Sequence, residues 1–342
     1  MRTMEKILTV VIPTYNAEKY LPVSLESFCV PEIMDDIEVL VVNDGSTDCS
    51  EQEAQKYCEK YPGTFRMITK ENGGHGSGIN CGIANASGKY FKVVDADDWV
   101  DGQAFANLVF WLKETVSDLV YSGFYWAYDR GETSVDQFEK KAEFTSPFAD
   151  VVYKKEYDFD DIADQLYIKM HNMTIRTSIL KENGIHIDEH CFYVDTEFIS
   201  YPIPYVKTIS FLRDFVYMYR IGNAGQSVSI EKMQQNERNF DRVLHSLFSF
   251  YDRLGGEIPC TEARKKYLEN LFARIAAGKY KIMLSQPASG KKKSQMIAFD
   301  KELRNKYPAV YDANINPAVK LLRTSGFGLY RIAVMLTRKK YQ

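Results

Sequence analysis

Four short apolar runs alternate with polar, helix-forming segments in the N-terminal third of the chain. The runs at residues 7–12, 37–42, 65–69 and 90–94 are rich in β-branched and aromatic residues, which is the composition of buried strands. The segments at residues 18–29, at residues leading up to 60, and around Ile79 to Ile83 predict helices. This alternation builds a mostly parallel sheet with helices on both faces. The pattern therefore predicts an α/β fold.

Unusual polar residues follow each of the four predicted strands. Tyr15 and Asn16 follow the first, Asp44 the second, residues 72–78 the third, and Asp95 and Asp97 the fourth. The carboxyl ends of parallel strands meet at one edge of a sheet, which is where such sheets bind ligands. We therefore expect the four loops to open at the same edge and to form one pocket.

The loop after the fourth strand contains three aspartates, Asp95, Asp97 and Asp98. Carboxylates at this density repel one another and are costly to bury without partners. Mg²⁺ or Mn²⁺ would remove the repulsion, because both ions prefer oxygen ligands, and the bound ion could also hold a phosphate. For so short a motif the alternative is a solvated acidic turn in which Asp98 or Asp101 caps the next helix.

Beyond this loop the pattern changes twice. Residues 104–115 predict an amphipathic helix, and residues 119–128 and 215–221 alternate as strands do. Residues 130–161 are irregular, and hairpin strands or a mobile flap are both compatible with them. From residue 233 onward apolar residues fall at helical spacing, with a basic loop at residues 289–293 before a further helix. We expect a catalytic domain at residues 1–230 and a helical, basic region at residues 231–342.

The net charge of −3 conceals a strong asymmetry. From Arg264 to the end the chain has 18 Lys and Arg against 4 Asp and Glu, whereas the preceding residues have 25 against 42. A basic C-terminal region favours contact with anionic surfaces. Residues 317–340 mix basic side chains with Val319, Leu322, Phe327, Tyr330, Val334 and Leu336. Such a segment can lie on an anionic membrane surface or can pack as an ordinary terminal helix. Binding to nucleic acid is not expected, because no recognised motif accompanies the charge.

The scattered cysteines and the lack of an export signal predict a cytoplasmic protein. With its basic C-terminal region, this protein could attach peripherally to the inner face of the cell membrane. Its 342 residues, of which 45% are hydrophobic, suffice for two folded domains. The six cysteines are scattered without a CxxC pair, which favours reduced thiols. We find no apolar leader at the N-terminus and no run of 18 apolar residues, so neither a signal peptide nor a membrane span is expected.

Four motifs together resemble those of the family 2 inverting glycosyltransferases of the GT-A fold, of the type used in bacterial polysaccharide biosynthesis. They are TVVIPTYN, VLVVNDGSTD, ENGGHGSGIN and KYFKVVDADDW, in that order. The resemblance implies a GT-A, Rossmann-like sheet and transfer of a sugar from a nucleotide-sugar, a UDP-sugar above all, with inversion at the anomeric carbon. We expect the acceptor to be a hydroxyl of a glycan, in the synthesis of cell-surface polysaccharide. A lipid-linked glycan as acceptor is a hypothesis that would explain the basic C-terminal region.

The resemblance also assigns roles to individual residues. Pro13, Tyr15 and Asp44 would face the base and ribose, the glycine-rich residues 72–78 would wrap the donor, and Asp95 would lie at the ribose or the metal. Asp97 would be the direct ligand of Mn²⁺ or Mg²⁺. The nucleotide-sugar contacts expected in full are Pro13, Tyr15, Asn16, Asp44, Asn72, Gly74, Gly78, Asp95, Arg220 and Gln226. Arg220 and Gln226 belong to a loop similar to one that lies near the donor diphosphate in this family, which suits a guanidinium group.

Asp195 resembles the position of the catalytic base in this family, usually written Glu-Asp. Val194 stands where the family commonly has Glu, so Asp195 is our candidate and Glu197 the alternative. One carboxylate near the acceptor hydroxyl is needed to accept its proton. A helix N-terminus with Asp195 as the cap is the structural alternative. His171 could also face the pocket, although a lone histidine is more often structural.

Two other functions are compatible with parts of the sequence. A sugar nucleotidyltransferase would carry a glycine-rich loop with a basic residue after the first strand, whereas Pro13, Thr14, Tyr15 and Asn16 stand there. A non-catalytic protein that binds nucleotide-sugar or recruits partners through its helical tail remains open, because Val194 departs from the family pattern.

Overall fold

The computed structural model describes residues 6–132, 134–222 and 229–341. Contacts between Cα atoms divide the chain into two compact units, residues 1–224 and 225–342.

The first unit is built on a single mixed sheet. Its strands are β1 (Leu8–Thr14), β2 (Ile37–Asn43), β3 (Phe65–Thr69), β4 (Tyr90–Val93), β5 (Trp99–Val100), β6 (Leu119–Tyr128), β7 (Glu139–Ala142), β8 (Glu156–Asp158), β9 (Met173–Arg176) and β10 (Thr208–Ile221). The order is β3-β2-β1-β4-β9-β6-β10-β5, with β7 beside β6 and β8 beside β10. This α/β architecture confirms the predicted fold class.

Strands β3, β2, β1 and β4 are parallel neighbours, as their alternation with helices predicts. Strand β9 lies antiparallel between β4 and β6, and β10 is parallel to β6. Strands β4, β6 and β10 therefore run in the same direction despite the reversed strand between them. Their carboxyl ends point to the edge reached by the polar loops.

Helices cover both faces of this sheet. They are α1 (Leu21–Glu26), α2 (Ser50–Lys60), α3 (His75–Asn85), α4 (Gly102–Glu114), α5 (Phe159–Ile162), α6 (Thr177–Glu182) and α7 (Asp195–Ser200). Leu8, Val10 and Ile12 point to one face and share a buried core with Phe28 and Phe105. On the opposite face Val11 lies against Gly82 of α3, where a Cβ would come within 2.5 Å of a valine methyl. The close approach of α3 to the sheet thus requires glycine at this position.

Two local expectations need correction. Helix α1 spans only six residues rather than residues 18–29, because turns occupy residues 18–20. Helix α3 begins at His75, so the second half of the predicted glycine-rich loop is helical. Of the two alternatives for residues 130–161, the structure shows hairpin strands, since β7 pairs antiparallel with the preceding β6 and β8 pairs antiparallel with β10.

The second unit consists of helices in the part of it that the structure describes. They are α8 (Ile230–Gln235), α9 (Glu237–Asp252), α10 (Glu262–Ser285), α11 (Gly290–Lys306), α12 (Pro308–Asp312), α13 (Pro317–Thr324) and α14 (Tyr330–Tyr341). The predicted basic loop at residues 289–293 is instead the start of α11, because the Ser289 hydroxyl caps it by accepting from the Lys292 N–H at 3.2 Å. None of the helices among the described residues is both long and apolar enough to cross a bilayer.

Candidate active site

Hydrogen bonds join the four polar loops at the carboxyl edge of the sheet. The Asn16 side-chain oxygen accepts from the Thr47 N–H at 2.8 Å, which links the loops after β1 and β2. Asp44 accepts from the N–H groups of Gly73 and Gly74, which links the loops after β2 and β3. The His75 ring lies 2.8 Å from an Asp95 oxygen and links the third loop to the fourth. The predicted convergence of the four loops is confirmed.

Asp44 organises the glycine-rich segment. Its side chain is buried and accepts from Gly73 at 3.0 Å, from Gly74 at 2.7 Å and from the Lys70 ammonium at 2.8 Å. The Asn72 amide donates in turn to the Asp44 carbonyl at 2.8 Å. Gly74 has φ of +84°, a backbone conformation that favours glycine. Asp44 thus holds a tight turn in a fixed shape beside the start of α3.

Packing explains part of the glycine pattern that follows. A Cβ on Gly76 would lie 2.1 Å from the Asp188 carbonyl oxygen, and one on Gly78 would lie 2.8 Å from the Pro13 side chain. Gly78 and Pro13 are both buried. These glycines let α3 approach β1 and the segment before α7, so the structure supplies a reason for them apart from a ligand. Their contact with a donor stays a prediction.

His75 and Asp95 form an ion pair at the centre of the edge. Burial lowers the pKa of His75, but the adjacent Asp95 carboxylate outweighs it and leaves the pKa raised, with further help from Asp195 and Asp97. Burial raises the pKa of Asp95, but the His75 charge and hydrogen bond outweigh it and leave the pKa lowered. The pair therefore favours an imidazolium beside a carboxylate when no other cation is bound.

Asp98 lies deeper, under Asp95. The Asp98 N–H donates to the Asp95 carbonyl at 3.0 Å, which folds residues 95–98 into a tight turn. One Asp98 oxygen accepts from the Tyr217 hydroxyl at 2.5 Å and the other from the Arg220 N–H at 2.7 Å. Burial, together with the charges of Asp97 and Asp95, raises the pKa of Asp98 well above its usual range. A cation placed here would relieve this repulsion.

Asp95, Asp98 and His171 present ligand atoms that all lie within 4.8 Å of one another. The turn brings Asp95 and Asp98 to the same side, whereas Asp97, the predicted direct ligand, is not in this group. The His171 ring packs among the Phe124, Tyr217 and Tyr219 rings, and its buried Nδ1 has no hydrogen-bond partner among the residues that the structure describes.

Burial lowers the pKa of His171 to about 4, so the ring is neutral near neutral pH, as a metal ligand must be. Two carboxylates and a neutral imidazole fit a divalent cation, and they suit Mn²⁺ better than Mg²⁺ because Mg²⁺ favours oxygen alone. The direct role of Asp97 stays a prediction.

Lys92 supports this group from inside the sheet. Its side chain is fully buried in β4, and its ammonium donates to the carbonyls of His171 at 2.8 Å and Met173 at 3.3 Å. Burial lowers the pKa of Lys92 to about 7. The contact ties the segment that carries His171 to the strand that leads into Asp95.

Asp195 is the first residue of α7, with Val194 rather than Asp195 as the N-cap. It is half-buried, and its pKa is raised by burial and by Asp95, against the opposing effect of His75. The alternative base, Glu197, is fully buried, and one of its oxygens accepts from the Asp188 N–H at 2.7 Å. Glu197 thus fixes the segment before α7, and Asp195 is the better placed of the two to meet a ligand.

Arg220 has several partners within the chain. Its side chain is buried, its Nε donates to the Asp97 carbonyl at 2.9 Å, and it pairs with Asp129 at 3.0 Å. The guanidinium also lies about 5 Å from the ring centroids of Tyr20, Trp99 and Phe138. These contacts hold the aspartate turn, and a direct contact with a diphosphate stays a prediction.

The remaining predicted residues lie at the edge of the site or outside the described residues. Tyr15 is 53% exposed, and Asn16 has φ of +50° while holding the loop after β2. Gln226 falls in residues 223–228, which lie outside the described residues.

Three residues of this site are not named as site residues from the sequence. His75 appears there only as part of the glycine-rich stretch, His171 as a residue that could face the pocket, and Asp98 as one of three crowded aspartates or a helix cap. Asp101 is the residue that caps α4, accepting from the Ala104 N–H at 2.9 Å. A histidine among glycines and a third carboxylate beside a DxD pair were the available signals.

Comparisons with known proteins agree with this geometry. Residues 9–183, just over half of the chain, match the glycosyl transferase family 2. The chain is 27% identical over 248 residues to the minor teichoic acid biosynthesis protein GgaB of Bacillus subtilis, covering 72% of this chain and 26% of that protein. It is 26% identical to the uncharacterized glycosyltransferase EpsJ of the same organism, covering 78% of this chain and 75% of that one.

Among solved structures, residues 1–349 of S. aureus TarS in complex with UDP-GlcNAc share the fold. The TM-score is 0.65 at 21% identity, covering 98% of this chain and 92% of the TarS chain. The family match covers more than half of the chain, and the solved structure shares its fold. The chain belongs to glycosyl transferase family 2 and has the GT-A fold.

Proposed function

We propose that this enzyme transfers a sugar from a UDP-sugar to an acceptor hydroxyl, with inversion, in the synthesis of a cell-surface glycan. The single observation that carries the proposal is the cluster of Asp95, Asp98 and His171 beside the linked loops after β1, β2 and β3. Two similar proteins support the substrate class, since GgaB is named for teichoic acid biosynthesis and a TarS structure contains UDP-GlcNAc.

The donor would lie across the linked loops. Pro13, Tyr15, Asn16 and Asp44 would border the base and ribose, and Asn72 and Gly74 the sugar and phosphates. A divalent cation held by Asp95, with Asp97 or with Asp98 and His171, would neutralise the diphosphate and stabilise its departure as a Lewis acid. The N-terminal end of α3 would add backbone N–H groups near the phosphates.

Asp195 would act as the general base. Its carboxylate accepts the proton of the acceptor hydroxyl while that oxygen forms a bond to the anomeric carbon. The bond from the anomeric carbon to the diphosphate oxygen breaks, and UDP leaves with the electron pair. The raised pKa strengthens Asp195 as a base, because a general base is most effective when its pKa lies near the pH at which the enzyme works.

We place the reaction in the cytoplasm, with a glycan or lipid-linked glycan as acceptor. The first unit and the adjoining residues, 1–230, would hold the donor. The basic residues 231–342 would contact the acceptor or the membrane in which a lipid-linked acceptor is anchored. The excess of positive charge from Arg264 onward supports this division of roles.

The test is donor breakdown in the presence of Mn²⁺. UDP release would be measured from a panel of UDP-sugars, with water in place of the unknown acceptor, for the wild type, Asp95→Ala and Asp101→Asn. We expect release from one UDP-sugar above the others, its loss in Asp95→Ala, and little change in Asp101→Asn, which keeps the helix cap. Equal rates in the wild type and Asp95→Ala would contradict the proposal.

A further inference from the structure

The apolar residues on one face of the last helix, α14, are buried inside the second unit. Tyr330 and Val334 are buried, and α14 packs against α10 of the same unit. Val319, Leu322 and Phe327 of the preceding segment are buried as well. Five of the six apolar residues that the sequence pattern singled out in this segment are therefore core residues.

A second apolar face points outward from the same helix. Ile332, Met335 and Leu336 are 50%, 60% and 57% exposed. At about 100° per residue, Ile332 and Leu336 lie about 160° from Val334, and Met335 lies about 100° from it, at the border of the outward face. Leu321 of the neighbouring α13 is 51% exposed. The outward face of a surface helix is ordinarily polar, so a helix that is apolar on two opposite faces needs a second apolar environment.

Basic residues surround this outward face. After Asp312 the sequence contains six Lys and Arg and not one Asp or Glu. Arg331, Lys339 and Lys340 are exposed on α14, and Lys339 follows Ile332 by seven residues and so shares its side of the helix. Two basic residues do not contribute to this face, because Arg323 turns inward to pair with Asp300 at 2.7 Å and Arg338 is only half-exposed, on the side of Val334.

We propose that Ile332, Met335 and Leu336, together with Arg331, Lys339 and Lys340, form a surface that docks on an anionic lipid leaflet. An apolar strip flanked by lysine and arginine suits the boundary between acyl chains and anionic head groups. A second copy of the chain fits less well, since two copies of this basic surface would repel each other. This proposal rests on the function proposed above, in which the second unit contacts the acceptor or the membrane. It assigns the membrane contact to these residues of α14.

The experiment measures binding of the full chain to vesicles by co-sedimentation. Vesicles of phosphatidylcholine alone would be compared with vesicles that also contain phosphatidylglycerol. We expect binding only to the anionic vesicles, with release at high salt because exposed charges are screened. Ile332→Ser combined with Met335→Ser and Leu336→Ser should lower the partition coefficient by about tenfold or more. Arg331→Gln with Lys339→Gln and Lys340→Gln should do the same.

The matched control removes the same charge elsewhere in the second unit. Lys291→Gln, Lys301→Gln and Arg304→Gln change exposed positions of α11 and should leave vesicle binding within about twofold of the wild type. Circular dichroism would establish that each variant is folded. Calorimetric UDP binding, measured on the same samples, separates failure of this inference from failure of the donor proposal.

Three results would overturn the inference. The first is a wild type that binds neither kind of vesicle, and the second is equal binding to anionic and neutral vesicles. The third is a wild type that self-associates in light scattering and becomes monomeric in the triple serine variant, because the outward face would then be an interface between copies.

Discussion

The two units use their charged residues in opposite ways. At the carboxyl edge of the sheet, Asp44, Asp95, Asp98 and Lys92 are buried or half-buried and are held by partners within the chain. On α14 the basic side chains lie outside, beside exposed apolar ones. Buried charges that are held in place by partners suit a small ligand such as a metal-bound diphosphate. An exposed surface of basic and apolar residues suits a large anionic partner such as a lipid leaflet.

The largest effect should come from Asp195→Asn. Loss of a general base typically lowers turnover by about 10²–10⁴-fold, and the amide keeps the size of the side chain. Steady-state UDP release with acceptor or water should show this loss, while UDP affinity in calorimetry stays near that of the wild type. Retention of activity in Asp195→Asn, with loss in Glu197→Gln at full stability, would transfer the role of base to Glu197.

The acid limb of activity should follow the same residue. Because the pKa of Asp195 is raised, the base becomes protonated at a higher pH than an ordinary aspartate, whose pKa is about 4. Activity should therefore fall as the pH drops through this raised value. A pH–rate profile on the wild type measures it, and an acid limb at or below about pH 4 would argue against Asp195 as the base.

The next largest effect is expected for Lys92, the lysine that is buried in β4. Lys92→Met would leave the carbonyls of His171 and Met173 without their donor and should cost roughly 1–3 kcal/mol in the free energy of unfolding. With a folded pKa of about 7, Lys92 binds fewer protons in the folded than in the unfolded state between about pH 7 and pH 10. Its contribution to stability therefore rises with pH over that window.

Urea unfolding at several pH values, with Lys92→Met as the reference, measures both quantities. The difference between the two proteins should grow in favour of the wild type as the pH increases. A difference that stays constant across the window would mean that Lys92 keeps its proton when folded.

The second unit offers a matched pair of truncations on one helix. Val334→Ala removes buried atoms and should cost roughly 1–3 kcal/mol, whereas Met335→Ala removes exposed ones and should stay within about 0.5 kcal/mol. Thermal or urea unfolding of both variants tests the assignment of the two faces. Equal costs would indicate that the outward face is packed in solution, against our description of α14.

The smallest effect is the pH dependence of the His75–Asp95 pair, measured in metal-free protein. His75 has a raised folded pKa, so its stabilising contribution is present below its unfolded pKa of about 6.5 and is lost as the pH rises through the folded value. His75→Asn should therefore destabilise the protein more near pH 5.5 than near pH 8.5. An equal loss at both values would mean that the ring is neutral throughout.

Much of the first unit was predictable because local patterns decide it. The apolar runs placed β1, β2, β3, β4 and β6 to within two residues, and the direction of parallel strands then placed their loops at one edge. The cluster of Asp95, Asp98 and His171 was not predictable in the same way. His171 reaches Asp95 only because β9, far along the chain, enters antiparallel between β4 and β6. Nothing in the alternation of strands and helices signals that insertion.

Two more local features could not be predicted from the sequence pattern: the turn at residues 95–98 and the two apolar faces of α14. Spacing alone suggested Asp95 and Asp97, but the hydrogen bond from the Asp98 N–H to the Asp95 carbonyl turns Asp98 toward Asp95. In α14 the sequence showed an amphipathic helix, but only the packing against α10 separates the inward from the outward apolar residues. A single helical period cannot distinguish these two faces when both are apolar.

The most direct test of the central claim is calorimetric titration of UDP into the wild type and Asp95→Ala, each with Mn²⁺ and with a chelator. The account predicts that UDP binds the wild type only when Mn²⁺ is present and that Asp95→Ala abolishes this binding, with Asp101→Asn unchanged as the control. Binding that is equally strong in the chelator, or that survives Asp95→Ala, would contradict a metal-dependent donor site at this edge of the sheet.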